Sequence, residues 1–248
     1  MLQYDHIAIG LSDAAPLLRV LTKDMGGTPL GGGVPPGSGF RFIQVHLGEP
    51  ESPGMTVELL EPHLPEANDF LQRFVERHGD GPHHVTFKTD DIVRELERLK
   101  ALGIDPVGIN FANPDWQEMF IHPKTAHGIV VQIAQSAYGL HTPSAMVTER
   151  RARGPKVFED RNWWGEITRG SNPVWLRRVV LGSPEPEKTT EFYATVLLGE
   201  TCEPGRICWT GGEILVEESP SFGLQRLELE GDHLSIEMAG TVFRFASN

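Results

Sequence analysis

The stretch GPHHVTFKTDD, Gly81–Asp91, decides how this chain is read. Val85 and Phe87 alternate with more polar neighbours, so the stretch predicts a short strand. An amphipathic helix follows it. In IVRELERLKAL, Ile92, Leu96 and Leu99 share one face, charges take the other, and Gly103 marks the end. The strand opens on two adjacent histidines. Successive strand residues face opposite ways, so only one of His83 and His84 can point at a given centre.

The same order of elements occurs earlier in the chain. YDHIAIGL (4–11) predicts a strand, and Ser12-Asp13 caps a helix with Pro16 in its first turn. That helix runs to about Asp24 and stops at Gly26-Gly27. GGTPLGGGVPPGSG then reads as a Gly/Pro loop with little order. FRFIQVHLG and MTVELLEP predict two strands, and Glu66 to His78 a helix. Beyond Gly103, strands are predicted at DPVGINF, WQEMFIHP and HGIVVQIAQ. Each half is therefore a strand, a helix, then two or three strands, and DHIAIG rhymes with HHVTFK. This is an internal repeat.

The repeat pairs His6 with His84, and Glu58 in MTVELLEP with Gln132 in HGIVVQIAQ. A polar side chain between apolar neighbours in a strand is costly unless its polar atoms are satisfied. One divalent ion can satisfy all four residues together. Two imidazoles, a carboxylate and an amide oxygen form a shell for Mn, Fe, Co, Ni or Zn. The alignment selects His84 as the inward histidine and turns His83 toward a covering helix or solvent.

Residues 139–172 shift to a polar, basic composition and read as a linker. From Val174 the pattern restarts with VWLRRVVLG, a helix around Pro186 to Leu198, and the short strands GRICWT, EILVEES, GLQRLELEG and HLSIEMAG. This tail holds one full unit and a remnant without a second helix. The expected organisation is a metal-binding domain over 1–138, a linker over 139–172, and a degenerate copy over 173–248. In that copy Arg178 takes the His6 place and Arg226 the His84 place. Arginine does not ordinarily bind metals, so the copy reads first as structural, with a cover for the cup or a site for an anionic part of a ligand as the alternatives.

Composition narrows the function. The net charge of −12 disfavours nucleic acid, whose phosphates call for clustered Lys and Arg. No apolar run approaches the roughly 20 residues of a membrane span. The N-terminus shows no secretory pattern, and Cys202 and Cys208 lack zinc-type spacing. The expectation is a cytoplasmic protein with two reduced thiols.

Several segments, taken in order, resemble the methylmalonyl-CoA epimerases of the vicinal oxygen chelate superfamily. They are DHIAI, VELLEP, FLQRFVERHGDGPHHVTFKTDDI, ERLKALGI and FIHPKTAHGIVVQI, and they cover roughly residues 1–136. The superfamily also holds glyoxalase I, extradiol dioxygenases and the fosfomycin and bleomycin resistance proteins. The resemblance implies an α+β fold of paired βαβββ units whose cupped mixed sheets surround a divalent metal. It places His6, Glu58 and His84 on metal-ligand positions. A glutamate at the Glu58 place is similar to bacterial glyoxalase I. The fourth place departs: Gln132 stands where the family carries Glu. An amide cannot act as a general base, and one carboxylate fewer leaves the ion more positive. The epimerases resemble two-base enzymes, yet the loop before the third strand holds no acid here. Glu58, or His46 on FIQVHLG beside Gln44, is left to move a proton.

The resemblance implies an isomerase or lyase that transfers a proton beside a metal-polarised carbonyl or thioester. Its substrate is a small molecule, an acyl-CoA or other thioester, with Lys124 and Arg41 as basic residues near the mouth. A homodimer is the default for relatives. The rival readings are a non-haem Fe(II) dioxygenase and a small-molecule binding protein without catalysis.

Overall fold

Strands of the first sheet carry apolar side chains at alternate positions, and that alternation builds the fold. The computed structural model describes residues 2–48, 55–137, 140 and 163–245. Its first sheet has eight strands: β1 (Gln3–Gly10), β2 (Thr28–Gly33), β3 (Phe40–Leu47), β4 (Met55–Pro62), β5 (Gly81–Lys88), β6 (Val107–Asn110), β7 (Trp116–Ile121) and β8 (Val130–Ser136). The strand order is β2-β3-β4-β1-β5-β8-β7-β6. β3 pairs antiparallel with β4, and β5 runs parallel to β8. Ile7, Ile9, Ile43, Val45, Val57, Leu59, Val85, Phe87, Val131 and Ile133 are all fully buried. Their odd numbers and the observed registers put them on one apolar face. Burying each such side chain contributes about 1.5–3 kcal/mol. The even-numbered residues take the other face, and there the polar side chains gather.

The first helical segment is α1 (Ala15–Arg19), continued by a π-helical turn at Val20–Asp24. Asp13 accepts from the Ala15 amide at 2.9 Å, and Pro16 lies in the first turn, as the sequence predicts. α2 (Phe70–His78) packs Leu71, Phe70 and Phe74 against Ala8, Phe42 and Leu60. α3 (Ile92–Ala101) begins where the Asp91 side chain accepts from the Arg94 amide at 3.0 Å. It buries Ile92 and Leu99 and half-buries Leu96, the face read from the sequence.

The Gly/Pro segment after α1 is ordered, contrary to the expectation of a loop. Thr28–Gly33 forms β2 along β3, with a bulge between Pro29 and Gly31. A Cβ on Gly32 would lie 2.1 Å from the Phe42 carbonyl oxygen and 2.8 Å from the Trp164 ring. Glycine is needed there because chain and ring approach too closely for any side chain.

The second sheet has seven strands: β9 (Trp175–Ser183), β10 (Glu200–Glu203), β11 (Arg206–Trp209), β12 (Gly212–Glu218), β13 (Gly223–Glu230), β14 (Ile236–Met238) and β15 (Thr241–Phe245). One helix, α4 (Pro186–Thr195), follows β9. The order β10-β11-β12-β9-β13-β15-β14 repeats that of the first sheet with its last strand missing. The final unit also lacks a helix, so the tail is the shortened copy that the sequence predicts. Cys202 and Cys208, expected to be reduced, are bonded to each other across the β10–β11 hairpin. The Glu200↔Cys208 register brings Cys202 and Cys208 close together, which residue spacing alone did not reveal.

Two compact units result. One comprises Met1–His6, His84–Leu140 and Arg177–Leu227. In it Phe87 packs on Trp209, the Tyr4 amide donates to the Thr210 carbonyl, and His127 Nδ1 lies 2.7 Å from Thr189 Oγ1. The other comprises Ile7–His83, His141–Leu176 and Glu228–Asn248. The predicted linker at 139–172 lies mostly outside the described residues. Its described end is tied down within this second unit: Trp163 Nε1 donates to the Phe42 carbonyl, and Arg169 Nε to that of Gly26.

Candidate metal centre

Three neighbouring strands of the first sheet, β4, β1 and β5, present Glu58, His6 and His84. Each side chain offers one ligand atom, and these atoms lie within 4.8 Å of one another. All three residues are buried, at 8%, 1% and 5% exposure, so polar groups are held together in a region closed to bulk water. Adjacent strands run about 4.8 Å apart, which is why one residue from each can converge. Two imidazoles and one carboxylate suit a mid-row divalent ion, so the donor set fits the group that the fold implies.

Neighbouring groups orient these three side chains. His6 Nδ1 lies 2.7 Å from Asp5 Oδ2, so Nε2, which here faces Thr86 Oγ1 at 2.9 Å, is the nitrogen that an ion would take in place of that contact. Asp5 also pairs with Lys88 Nζ at 2.8 Å, and both side chains are buried. Burial raises the Asp5 carboxyl, but the Lys88 ammonium and the His6 ring outweigh it and hold the carboxyl well below the usual range. Gln44, opposite Glu58 in the β3–β4 register, donates from Nε2 to Glu58 Oε1 at 2.9 Å. The His6 and His84 rings meet edge to face at 5.7 Å.

Gln132 does not stand beside these residues as a simple fourth member. Its Oε1 accepts from Thr86 Oγ1 at 2.6 Å, and its Nε2 donates to Glu118 Oε2 at 2.7 Å. Thr86 Oγ1 in turn lies 2.9 Å from His6 Nε2. His83 meets the α2 rings of Phe74 and Phe70 at 4.7 and 5.8 Å, so it faces the covering helix. Burial, opposed by the Glu58 charge, lowers its imidazole to about 4. His46 is fully buried, shares the even-numbered face of β3 with Gln44, and lies 3.4 Å from Thr56.

Arg41, read as a basic residue at the mouth, is committed elsewhere. It pairs with Glu61 and stacks 4.1 Å over the Trp163 ring. Lys124 is exposed at the β7–β8 turn. In the second sheet Arg226 makes a two-pronged pair with Glu217 at 2.7 and 2.6 Å, and Arg178 pairs with Glu213 at 2.7 Å. Arginine–glutamate pairs thus stand where the repeat would place metal-binding histidines.

Sequence reading missed Thr86, Asp5, Lys88 and Glu118. Thr86 was findable, because it follows His84 by two residues and so shares its face. WQEMFI carried a second signal, an acid between two aromatics at the same parity. Asp5 and Lys88 gave none, since their pairing joins two strands that are far apart in the chain.

Residues 5–120 match the family model described as the glyoxalase/bleomycin resistance protein/dioxygenase superfamily. A hypothetical protein from Staphylococcus aureus is similar over 99% of both chains, with a TM-score of 0.66 and 13% identity. The methylmalonyl-CoA epimerase of Mycobacterium tuberculosis is 20% identical, with a TM-score of 0.47, over 54% of this chain and 88% of that one. A variant of the Streptomyces coelicolor methylmalonyl-CoA epimerase, in complex with 2-nitronate-propionyl-CoA, is 21% identical with a TM-score of 0.49, over 56% of this chain and 97% of that one. A search of curated proteins finds no match to the chain. Among the described residues, no helix is long and apolar enough to cross a membrane.

Proposed function

We propose that the chain binds one divalent mid-row ion through His6, Glu58 and His84 and transfers a proton at the carbon beside a carbonyl or thioester. The convergence of the three ligand atoms within 4.8 Å carries this reading. The ion, when bound, supplies Lewis acidity toward a carbonyl oxygen. The protein does the rest. Asp5 fixes the His6 ring so that Nε2 faces the centre, and Gln44 holds the Glu58 carboxylate by its Oε1. Burial of these groups keeps bulk water from competing for the ligand atoms. His46 and Glu58, the residues to which the sequence assigns the proton, lie on the polar face of adjacent paired strands. The sequence resemblance to epimerases points to acyl-CoA thioesters as the first substrates to try, followed by hemithioacetals.

The test is hydrogen exchange. Protein loaded in turn with Mn, Co, Ni and Zn is incubated in deuterated water with acyl-CoA and hemithioacetal substrates, and the α-hydrogen is followed by NMR. Metal-dependent deuterium uptake with one substrate class is expected. Uptake from none of them sinks the reading.

The same donor set favours a second reading. Two histidines and one carboxylate also suit Fe(II) and oxygen. Iron-loaded, anaerobic protein that consumes oxygen on addition of a catechol would replace the first reading with this one.

A further inference from the structure

The acid that the superfamily pattern places at residue 132 has a counterpart one strand away. Gln132 lies in β8, is 6% exposed, and uses both ends of its amide. Its acceptor end takes the Thr86 hydroxyl and its donor end gives to Glu118 on β7. A carboxylate at 132 could still accept from Thr86. It would then oppose Glu118 Oε2, 2.7 Å away, as a like charge. An amide at 132 and an acid at 118 are therefore a matched pair, with one carboxylate spread over two strands.

Glu118 is also held in place. Trp116 Nε1 donates to the same Oε2 at 3.0 Å, so two N–H donors set the position of that oxygen. Trp116, Glu118 and Phe120 share one face of β7 by the period of two. The Phe120 ring meets that of His84 at 6.3 Å, which puts this face of β7 on the side of the ligand histidines. From Thr86, two residues beyond His84, Glu118 is reached through Gln132 in two successive hydrogen bonds.

We propose that Glu118 is the carboxylate that accepts and returns the substrate proton, an inference that rests on the proton-transfer reading above. The step balances within the site. The substrate's α C–H bond breaks, its electron pair stays on the substrate as an enolate, and the proton moves to Glu118, making a carboxylic acid. Return of that proton, or of a deuteron gained from solvent, to the α-carbon restores the carboxylate. No oxidant or second substrate is required.

The test is Glu118→Gln in the full chain, read by two measurements: α-hydrogen exchange with the substrate that the wild type accepts, and the dissociation constant of the metal alone. Exchange is expected to fall by at least about 100-fold, the usual size of a general-base contribution, with the metal constant unchanged. A wild type that exchanges and a variant that exchanges within tenfold of it would overturn the role of Glu118 and leave the proton-transfer reading standing. Loss of metal affinity in the variant would also overturn it, since Glu118 would then serve the ion. A wild type without exchange on any substrate removes both readings. If Glu118→Gln does not fold, Glu118→Asp, which draws the carboxylate back by one methylene, carries the same comparison.

Discussion

Lys88→Met is expected to destabilise the metal-free protein by about 3–5 kcal/mol, the usual cost of leaving one member of a buried ion pair uncompensated. The Lys88 side chain is 3% exposed and that of Asp5 10%, and their charged atoms are 2.8 Å apart. Methionine keeps most of the volume and removes the charge, so the Asp5 carboxylate is left in a site that cannot solvate it. At about 2–4 °C per kcal/mol for a chain of this size, the thermal midpoint falls by about 6–20 °C. Adding Asp5→Asn removes the stranded charge, so the double variant should lose less than the sum of the singles. A Lys88→Met protein that melts within a degree or two of the wild type would show that the pair is hydrated. The pH dependence follows from the lowered Asp5 carboxyl. Its folded value lies below the ordinary 3.8, so the pair's contribution is fully present above that value. It is lost as pH falls through the lower folded value.

His84→Ala is expected to abolish metal retention. The untreated wild type should carry close to one divalent ion per chain by elemental analysis, and the variant close to none after dialysis. The reason is that one of two imidazoles disappears from a set whose three ligand atoms lie within 4.8 Å. Changes to groups behind the ligands typically cost 10–100-fold in affinity, so loss of a ligand itself should exceed that. His83→Ala is the matched control. His83 faces the Phe70 and Phe74 rings, so it should alter packing and leave metal content intact. Equal metal content in wild type and His84→Ala protein would end the metal reading of this centre.

The repeat in the sequence carried most of the fold. Period-two alternation in VTFK and VVQIAQ, and the amphipathic spacing of Ile92, Leu96 and Leu99, are local properties that survive in the folded chain. They predicted β5, β8 and α3 nearly to the residue. The strand at Thr28–Gly33 escaped, because glycine lacks the side chains from which alternation is read. Its order comes from β3 alongside and from the Trp164 ring more than a hundred residues later. The Cys202–Cys208 bond escaped for a similar reason, since it depends on the register of a hairpin.

The sequence by itself determined the repeated strand–helix–strand order, and it put forward His84 over His83 with His6 and Glu58 as the residues to converge with it, as they do within 4.8 Å. All of these follow from alternation along one strand and from symmetry between the halves. Only the tertiary structure decided what surrounds these three residues. The Asp5–Lys88 pair, the Gln44 contact to Glu58 and the chain from Thr86 through Gln132 to Glu118 each join residues on different strands. Which side chains meet across a sheet depends on strand order and register, and those are set by burial of the whole apolar face, which no single segment encodes.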